Sequence, residues 1–259
     1  MSRVTNVGFL RGSAHVALRN LVVWRRYAAA SAIGNFGEPL LYLVALGYGL
    51  GRVVPPIDGQ TYAEFLAPGL IVSTVMYTAT FEGTFGAYTR LATQGTFEAM
   101  LATPISVPEV VAGEVVWGGL KSMFGATVVL GVVTAFGLVP SPLCLAVVPL
   151  GFVAGLLFYA MALCMTGLSK SYEFFNYYFT LLVAPMYLFS GVFFPLEKAP
   201  DWARGLAHVL PLTHVVALSR AFVRGTLHSG LWLNAAALLG FLVVAYAVAA
   251  MLLSRRLRI

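Results

Sequence analysis

The chain has 259 residues, 59% of them hydrophobic and only 10% charged, with a net charge of +6 and a mean hydropathy of +0.86. An average soluble domain carries roughly a quarter charged residues, so a soluble enzyme, a nucleic-acid binder and a disordered tail all fit poorly, and a membrane protein fits well. The 16 Lys and Arg lie largely beside apolar runs, which makes anionic lipid, not nucleic acid, the partner of the excess charge.

Residues 1–27 are not a secretory signal, because Arg3, Arg11, Arg19, Arg25 and Arg26 are spread through them. At 100° per residue Arg11, His15, Arg19 and Arg26 share a helical face, with Leu10, Ala14, Ala17 and Leu21 on another. This predicts an amphipathic helix on the membrane surface, with Trp24 and Tyr27 at headgroup depth. Six apolar runs follow, each near the ~20 residues that a spanning helix needs: 28–50, 65–88, 115–139, 143–168, 174–192 and 231–253. Pro55-Pro56 with Asp58-Gly59, then Pro104 and Pro108, then Pro140-Ser141-Pro142 punctuate them. None of these gaps reads as a linker, so one domain over 1–259 is expected. Cys144 and Cys164 fall in one predicted helix and read as small apolar residues. The Lys and Arg bias places both termini in the cytoplasm, with Lys121 snorkelling from the third span towards the Arg90 side.

Two connections exceed simple turns. The cytoplasmic one, 89–114, holds a helix-compatible stretch from Thr93 to Ala102 and a Thr103-Pro104 stop. The external one, 193–230, is expected to form two short helices re-entering the outer leaflet, separated by Pro211.

Catalytic chemistry is not apparent. His15, His208, His214 and His228 lack metal-ligand spacing, no Ser sits in a G-x-S-x-G elbow, and neither Lys-Ser pair follows the glycine that a P-loop requires. No cofactor is therefore expected in this chain. Ionisable residues within spans are a sharper signal, since charge in hydrocarbon is costly. Glu82 in the second span and Glu38 in the first are candidates for a polar lining or an interhelical lock, and equally for plain structural hydrogen bonding. No basic residue near Glu82 in sequence is an obvious titrating partner. The fifth run is rich in aromatic residues, and Phe175, Tyr178 and Phe179 fit either helix packing or a substrate path.

The stretch Phe81-Glu82-Gly83-Thr84-Phe85-Gly86-Ala87-Tyr88-Thr89-Arg90 with Gly95-Thr96-Phe97-Glu98-Ala99-Met100-Leu101-Ala102-Thr103-Pro104 resembles the membrane subunit of ABC-2 type exporters, in particular the NodJ group of lipo-chitooligosaccharide exporters. Leu210-Pro211-Leu212-Thr213-His214, continuing through Arg220-Ala221-Phe222-Val223-Arg224-Gly225, is similar to the family's signature before the last span. The resemblance implies an all-α membrane protein of six spans, with an interface helix at 1–27, a coupling helix within 89–114 and a re-entrant hairpin at 193–230. It further implies a bacterial inner-membrane permease working as two copies with two separate ABC ATPase subunits, which hold ATP and magnesium, to export an amphiphilic substrate such as a lipooligosaccharide. Arg90, Thr93, Gln94, Thr96, Phe97, Glu98 and Leu101 would then contact the ATPase, with Phe97 as apolar anchor. Glu38, Glu82, Phe175, Tyr178 and Phe179 would line the path, and Phe193, Phe194, Trp202 and His214 the external gate. A drug or lipid efflux permease, an ion-coupled carrier and a structural membrane protein are the alternatives; a carrier predicts inverted repeats, and none is detectable.

Overall fold

A computed structural model of the chain describes residues 8–257, apart from the side chains of Asn35, Phe36 and Glu38. The Glu38 carboxylate expected on the path therefore lies outside the described residues. Among these residues there is no strand beyond one isolated bridge. That bridge joins Ile57 and Gln60 around Asp58-Gly59, both at positive φ, as an Asp-Gly two-residue turn requires.

The first helix, α1 (Phe9–Trp24), runs through a 3-10 turn at Arg25–Tyr27 into α2 (Ala28–Tyr42). Tyr27 leaves helical geometry at φ −127 and ψ 21, which marks the expected junction between a surface helix and a span. The run from Phe9 to Arg52 is 44 residues long, or about 66 Å at 1.5 Å per residue. That is twice a bilayer core of ~30 Å, so part of it must lie outside the hydrocarbon.

Helix α1 turns a mixed face of small, polar and apolar residues to the protein and leaves Leu10 outside. Leu10 is 81% exposed, whereas Gly12, Ser13, Val16, Ala17, Asn20 and Trp24 are buried. These pack on α5 (Val107–Ala135) at very short range. A Cβ on Gly113 would sit 2.5 Å from the Ser13 carbonyl oxygen, and one on Gly12 2.5 Å from Glu109 Oε1. Small residues let two backbones approach where lipid supplies no hydrophobic drive, so a small and polar stripe wins over the more apolar one. Trp24 then closes the contact edge-on against Trp117 and Phe124, at 5.9 and 4.8 Å between ring centres.

Helix α3 (Tyr62–Phe81) opens with a Thr61–Glu64 capping box and continues through π-helical turns at Glu82–Gly86 and Thr89–Thr93. The short α4 (Thr96–Leu101) follows a left-handed Gly95. Helix α5 begins eight residues before the apolar run, because Glu109 accepts from the Ser106 backbone N–H at 2.6 Å and Pro108 sits in its first turn. The connection between the second and third runs is accordingly much shorter than 89–114. Helix α6 (Val147–Leu168) packs on α5 through glycines; a Cβ on Gly118 would meet the Tyr159 ring at 2.1 Å and one on Gly155 would meet Ser122 at 2.6 Å.

The fifth run forms α7 (Glu173–Tyr178), a π turn at Phe179–Val183 and α8 (Ala184–Phe189), of 6, 5 and 6 residues. Their combined length is about 25 Å, just short of a full span. Among the described residues five other helical segments are long and apolar enough to cross, the last being α11 (Leu231–Arg256). The connection at 193–230 folds into α9 (Asp201–Val209) and α10 (Pro211–Arg224), bent by 89° at Pro211, a bend that a broken span or a re-entrant pair would show.

The glycine packing makes a direct prediction. Gly118→Ala drives a methyl group into the fully buried Tyr159 and lowers thermal stability in detergent by roughly 1–3 kcal/mol. Gly131→Ala, also in α5 but with open space around it, leaves the melting midpoint unchanged or slightly raised.

Candidate functional site

Glu114, Trp117 and Lys121 stand at i, i+3 and i+7 on α5, so all three point the same way. They face the π turn at Glu82–Gly86, Tyr159 on α6 and Asn20 on α1. Arg90, from the second π turn, reaches inward to join them. Its Nη1 donates to Glu82 at 2.7 Å, and its Nη2 donates to Glu114 at 2.8 Å and to the Tyr159 hydroxyl at 2.9 Å. Lys121 donates to the other Glu82 oxygen at 2.5 Å, and the Trp117 indole N–H donates to Glu82 at 3.2 Å. Tyr159 and Asn20 donate to the two oxygens of Glu114 at 2.6 and 2.8 Å.

Two carboxylates thus meet two cations in a buried, formally neutral cluster. Glu114 has no exposed side-chain surface, and Arg90 retains 13%. Isolated charge in such a place costs several kcal/mol, and only complete pairing offsets it.

This cluster separates two cavities. One of about 420 Å³ lies between α2, α3 and the fifth helix, with Tyr42, Ser73, Thr74, Tyr77, Phe179 and Tyr187 in its walls and Glu82 and Lys121 at one end. The other, about 330 Å³, is walled by Arg19, Asn20, Tyr27, Thr89, Arg90 and Gln94. Glu82 lines both, so its ion pairs form the partition between them.

Residues 14–223 match the family of ABC-2 type transporter membrane proteins. The chain belongs to that family. It is 34% identical to Nodulation protein J of Sinorhizobium fredii over 92% of this chain and 91% of the relative. With Nodulation protein J of Rhizobium leguminosarum bv. viciae it shares 36% over 92% of each. A more distant relative, the Inner membrane transport permease YadH of Escherichia coli, is 25% identical over 68% of this chain and 69% of its own length. The protein is thus a multi-pass ABC-2 permease of the Nodulation protein J type, a transport membrane subunit.

Within the permease the expected site residues separate. Of the path candidates, Glu82 and Phe179 meet at the larger cavity. Phe175 is instead fully buried and stacked edge-on against Phe85 and Tyr88 at 5.2 and 5.4 Å. Tyr178 is buried as well. Neither lines that cavity, which corrects their assignment in favour of packing. Of the coupling candidates, Thr93, Gln94 and Glu98 are exposed, Leu101 is half-buried and Thr96 is buried.

Two coupling assignments need correction. Arg90 is committed to the interior cluster, and Phe97 is 0% exposed within the protein's own core, so both hold the segment from inside and do not face a partner. Around the external connection, Phe193 packs on Tyr42 and Tyr187 at 6.1 and 4.8 Å, while Phe194 and Trp202 are exposed. His214 turns away from them, its ring nitrogens 2.9 Å from Asn234 of α11 and 3.2 Å from the His208 carbonyl; it braces α10 against the last span.

The sequence reading found no obvious basic partner for Glu82, yet it has two. Arg90 comes from eight residues on and Lys121 from α5, both reaching the same carboxylate. Glu114, Trp117, Lys121 and Tyr159 were missed as a group. The available signal was the i, i+3, i+7 spacing of polar residues at the start of an otherwise apolar helix.

Charge balance predicts a specific hierarchy. Arg90→Met leaves Glu114 without a cation, while Glu82 keeps Lys121, and costs about 3–5 kcal/mol of stability in thermal melts. Combining it with Glu114→Gln restores neutrality, and the double variant recovers at least half of that loss.

Proposed function

We propose that this permease is the membrane half of an ATP-driven exporter in a bacterial inner membrane, with both termini cytoplasmic. Two copies assemble with two ABC ATPase subunits, which carry the ATP and magnesium; this chain binds no cofactor of its own. The cargo is amphiphilic, in the class of a glycolipid or lipooligosaccharide, with sugars on the hydroxyls and aromatics of the 420 Å³ cavity and acyl chains along the apolar outer faces of α2. The polypeptide acts as one domain over 1–259, with residues 193–230 as the external gate.

The observation that carries this reading is the placement of Arg90. It lies at the base of the segment leading to α4 and is bonded directly to Glu82, which walls the cavity. A partner that moves the exposed surface of Thr93, Gln94 and Glu98 would move the partition through a chain of short, rigid contacts. Packed elements respond to such displacements by switching between discrete arrangements, not by bending gradually. ATP binding on the partner would thereby open and close the route between the two cavities. Within this mechanism Phe97 stiffens α4 by anchoring it to the core, so that motion is transmitted and not absorbed.

The test is a gentle-detergent pull-down of the tagged permease from native membranes with an ATPase assay. Gln94→Arg combined with Glu98→Arg changes only exposed positions. Recovery of a P-loop ATPase should fall about tenfold, equivalent to 1.4 kcal/mol, with the melting midpoint unchanged. Phe97→Asp should instead lower the midpoint itself, because it buries a carboxylate without a partner. Failure of wild type to recover any ATPase, under conditions that hold a known ABC complex together, would overturn the exporter reading.

A further inference from the structure

At the end of the bundle opposite α4, the C-terminus of α8, the turn Leu196–Lys198 and one face of α10 enclose a third cavity of about 450 Å³. Its depth along α10 is set by Thr213, Arg220 and Arg224, which fall within 40° of one another at 100° per residue. Ser190, at the end of α8, completes the wall.

Four polar atoms of these residues are buried and lack any hydrogen-bond partner: Ser190 Oγ, Thr213 Oγ1, Arg220 Nε and Arg224 Nε. Buried polar groups are nearly always satisfied, so four in one cavity wall call for a common cause. The two guanidinium groups are also held in place from behind. Arg220 donates through Nη2 to the Gly191 carbonyl at 2.5 Å and lies 3.9 Å over the Phe65 ring. Arg224 donates through Nη2 to Gln60. Both are therefore oriented before anything binds.

Arg220 and Arg224 line the cavity with two positive charges one helical turn apart, a like-charge spacing that repels, and the four unpartnered atoms lie just beneath its surface. Glu197 lies at the rim within electrostatic reach of Arg220, yet it is exposed and forms no ion pair with either arginine among the described residues. A water molecule would offer two acceptor lone pairs and no charge. A tetrahedral oxyanion offers several acceptors around a negative centre, and arginine matches it geometrically as well as electrostatically.

We propose that this cavity is a binding site for a phosphate group, presented either by an amphiphile headgroup or by free phosphate. The site recognises the oxyanion through Arg220 and Arg224 and closes on it with the hydroxyls of Ser190 and Thr213. Its existence does not depend on ATP-driven export, since it follows from the cavity wall alone.

The experiment uses the purified full chain in a neutral detergent. Melting midpoints are followed against phosphatidylglycerol, with phosphatidylcholine as the reference lipid, and against inorganic phosphate, with chloride at matched ionic strength. Wild type should be protected by phosphatidylglycerol or by both phosphate sources. Protection by inorganic phosphate as well as the lipid means that the bare oxyanion suffices; protection by the lipid alone means that the headgroup's body is also read. The variant Ser190→Ala with Thr213→Val removes two unpartnered hydroxyls, so its ligand-free midpoint should not fall, while its apparent affinity should drop about tenfold. Arg220→Gln with Arg224→Gln should abolish the protection. Equal protection of wild type and the hydroxyl variant, or none of wild type by either source, overturns the site.

Discussion

Charge inside an apolar bundle must be neutralised by charge, and the cluster of Glu82, Arg90, Glu114 and Lys121 imposes that condition on the rest of this permease. Its members come from the π turns after α3 and from α5, with Tyr159 of α6 and Asn20 of α1 completing the bonds. The helices cannot slide past one another without leaving a carboxylate or an ammonium group unpaired. Packing energy in lipid is weak in discriminating one register from another, because every helix surface is apolar. A polar network with directional hydrogen bonds supplies the missing discrimination.

The backbone has adapted to let these side chains meet. Two π turns interrupt the helix that carries Glu82 and Arg90, shifting the register of the side chains that follow. Glycine at 83, 113, 118 and 155 brings the neighbouring helices close enough that a single methyl group would collide. Close approach and charge pairing reinforce each other, since short hydrogen bonds between side chains on different helices need short interhelical distances. At and just before the start of the fifth apolar run, Tyr172 and Phe175 pack against Phe85 and Tyr88, while Phe179 and Tyr187 of that run stand in the wall of the larger cavity.

The same cluster lies where two cavities meet. A cavity on one side and a smaller one on the other meet at a single carboxylate, Glu82, whose partners include a residue at the base of the cytoplasmic segment. Membership of the ABC-2 family supplies the context in which such a partition has work to do, because a permease must expose its cargo to one side at a time. At the far end, two arginines of α10, held by Gly191, Phe65 and Gln60, stand beside the hydroxyls of Ser190 and Thr213, which have no partner in the chain. The two ends are therefore chemically distinct: one is internally compensated, the other is prepared for a negative group from outside.

Composition alone determined that this chain lives in a membrane, because 10% charged residues cannot clothe a soluble protein. Apolar runs located the spanning helices, Pro211 located the break between α9 and α10, and the motifs around Glu82 and Leu210 carried the family. All of these are local properties, written in a window of one helix or one turn. What sequence could not determine was which helix faces met. Helix α1 docks through Gly12, Ser13 and Val16 and leaves Leu10 exposed, because small residues gain more by close approach than leucine gains by burial where lipid is the alternative. Phe97 and Arg90 read as surface residues because they sit in a polar segment, and only the folded chain turns them inward. The pairing of Glu82 with Lys121 joins residues 39 apart in sequence, and no local pattern encodes a contact that exists only when three helices have packed.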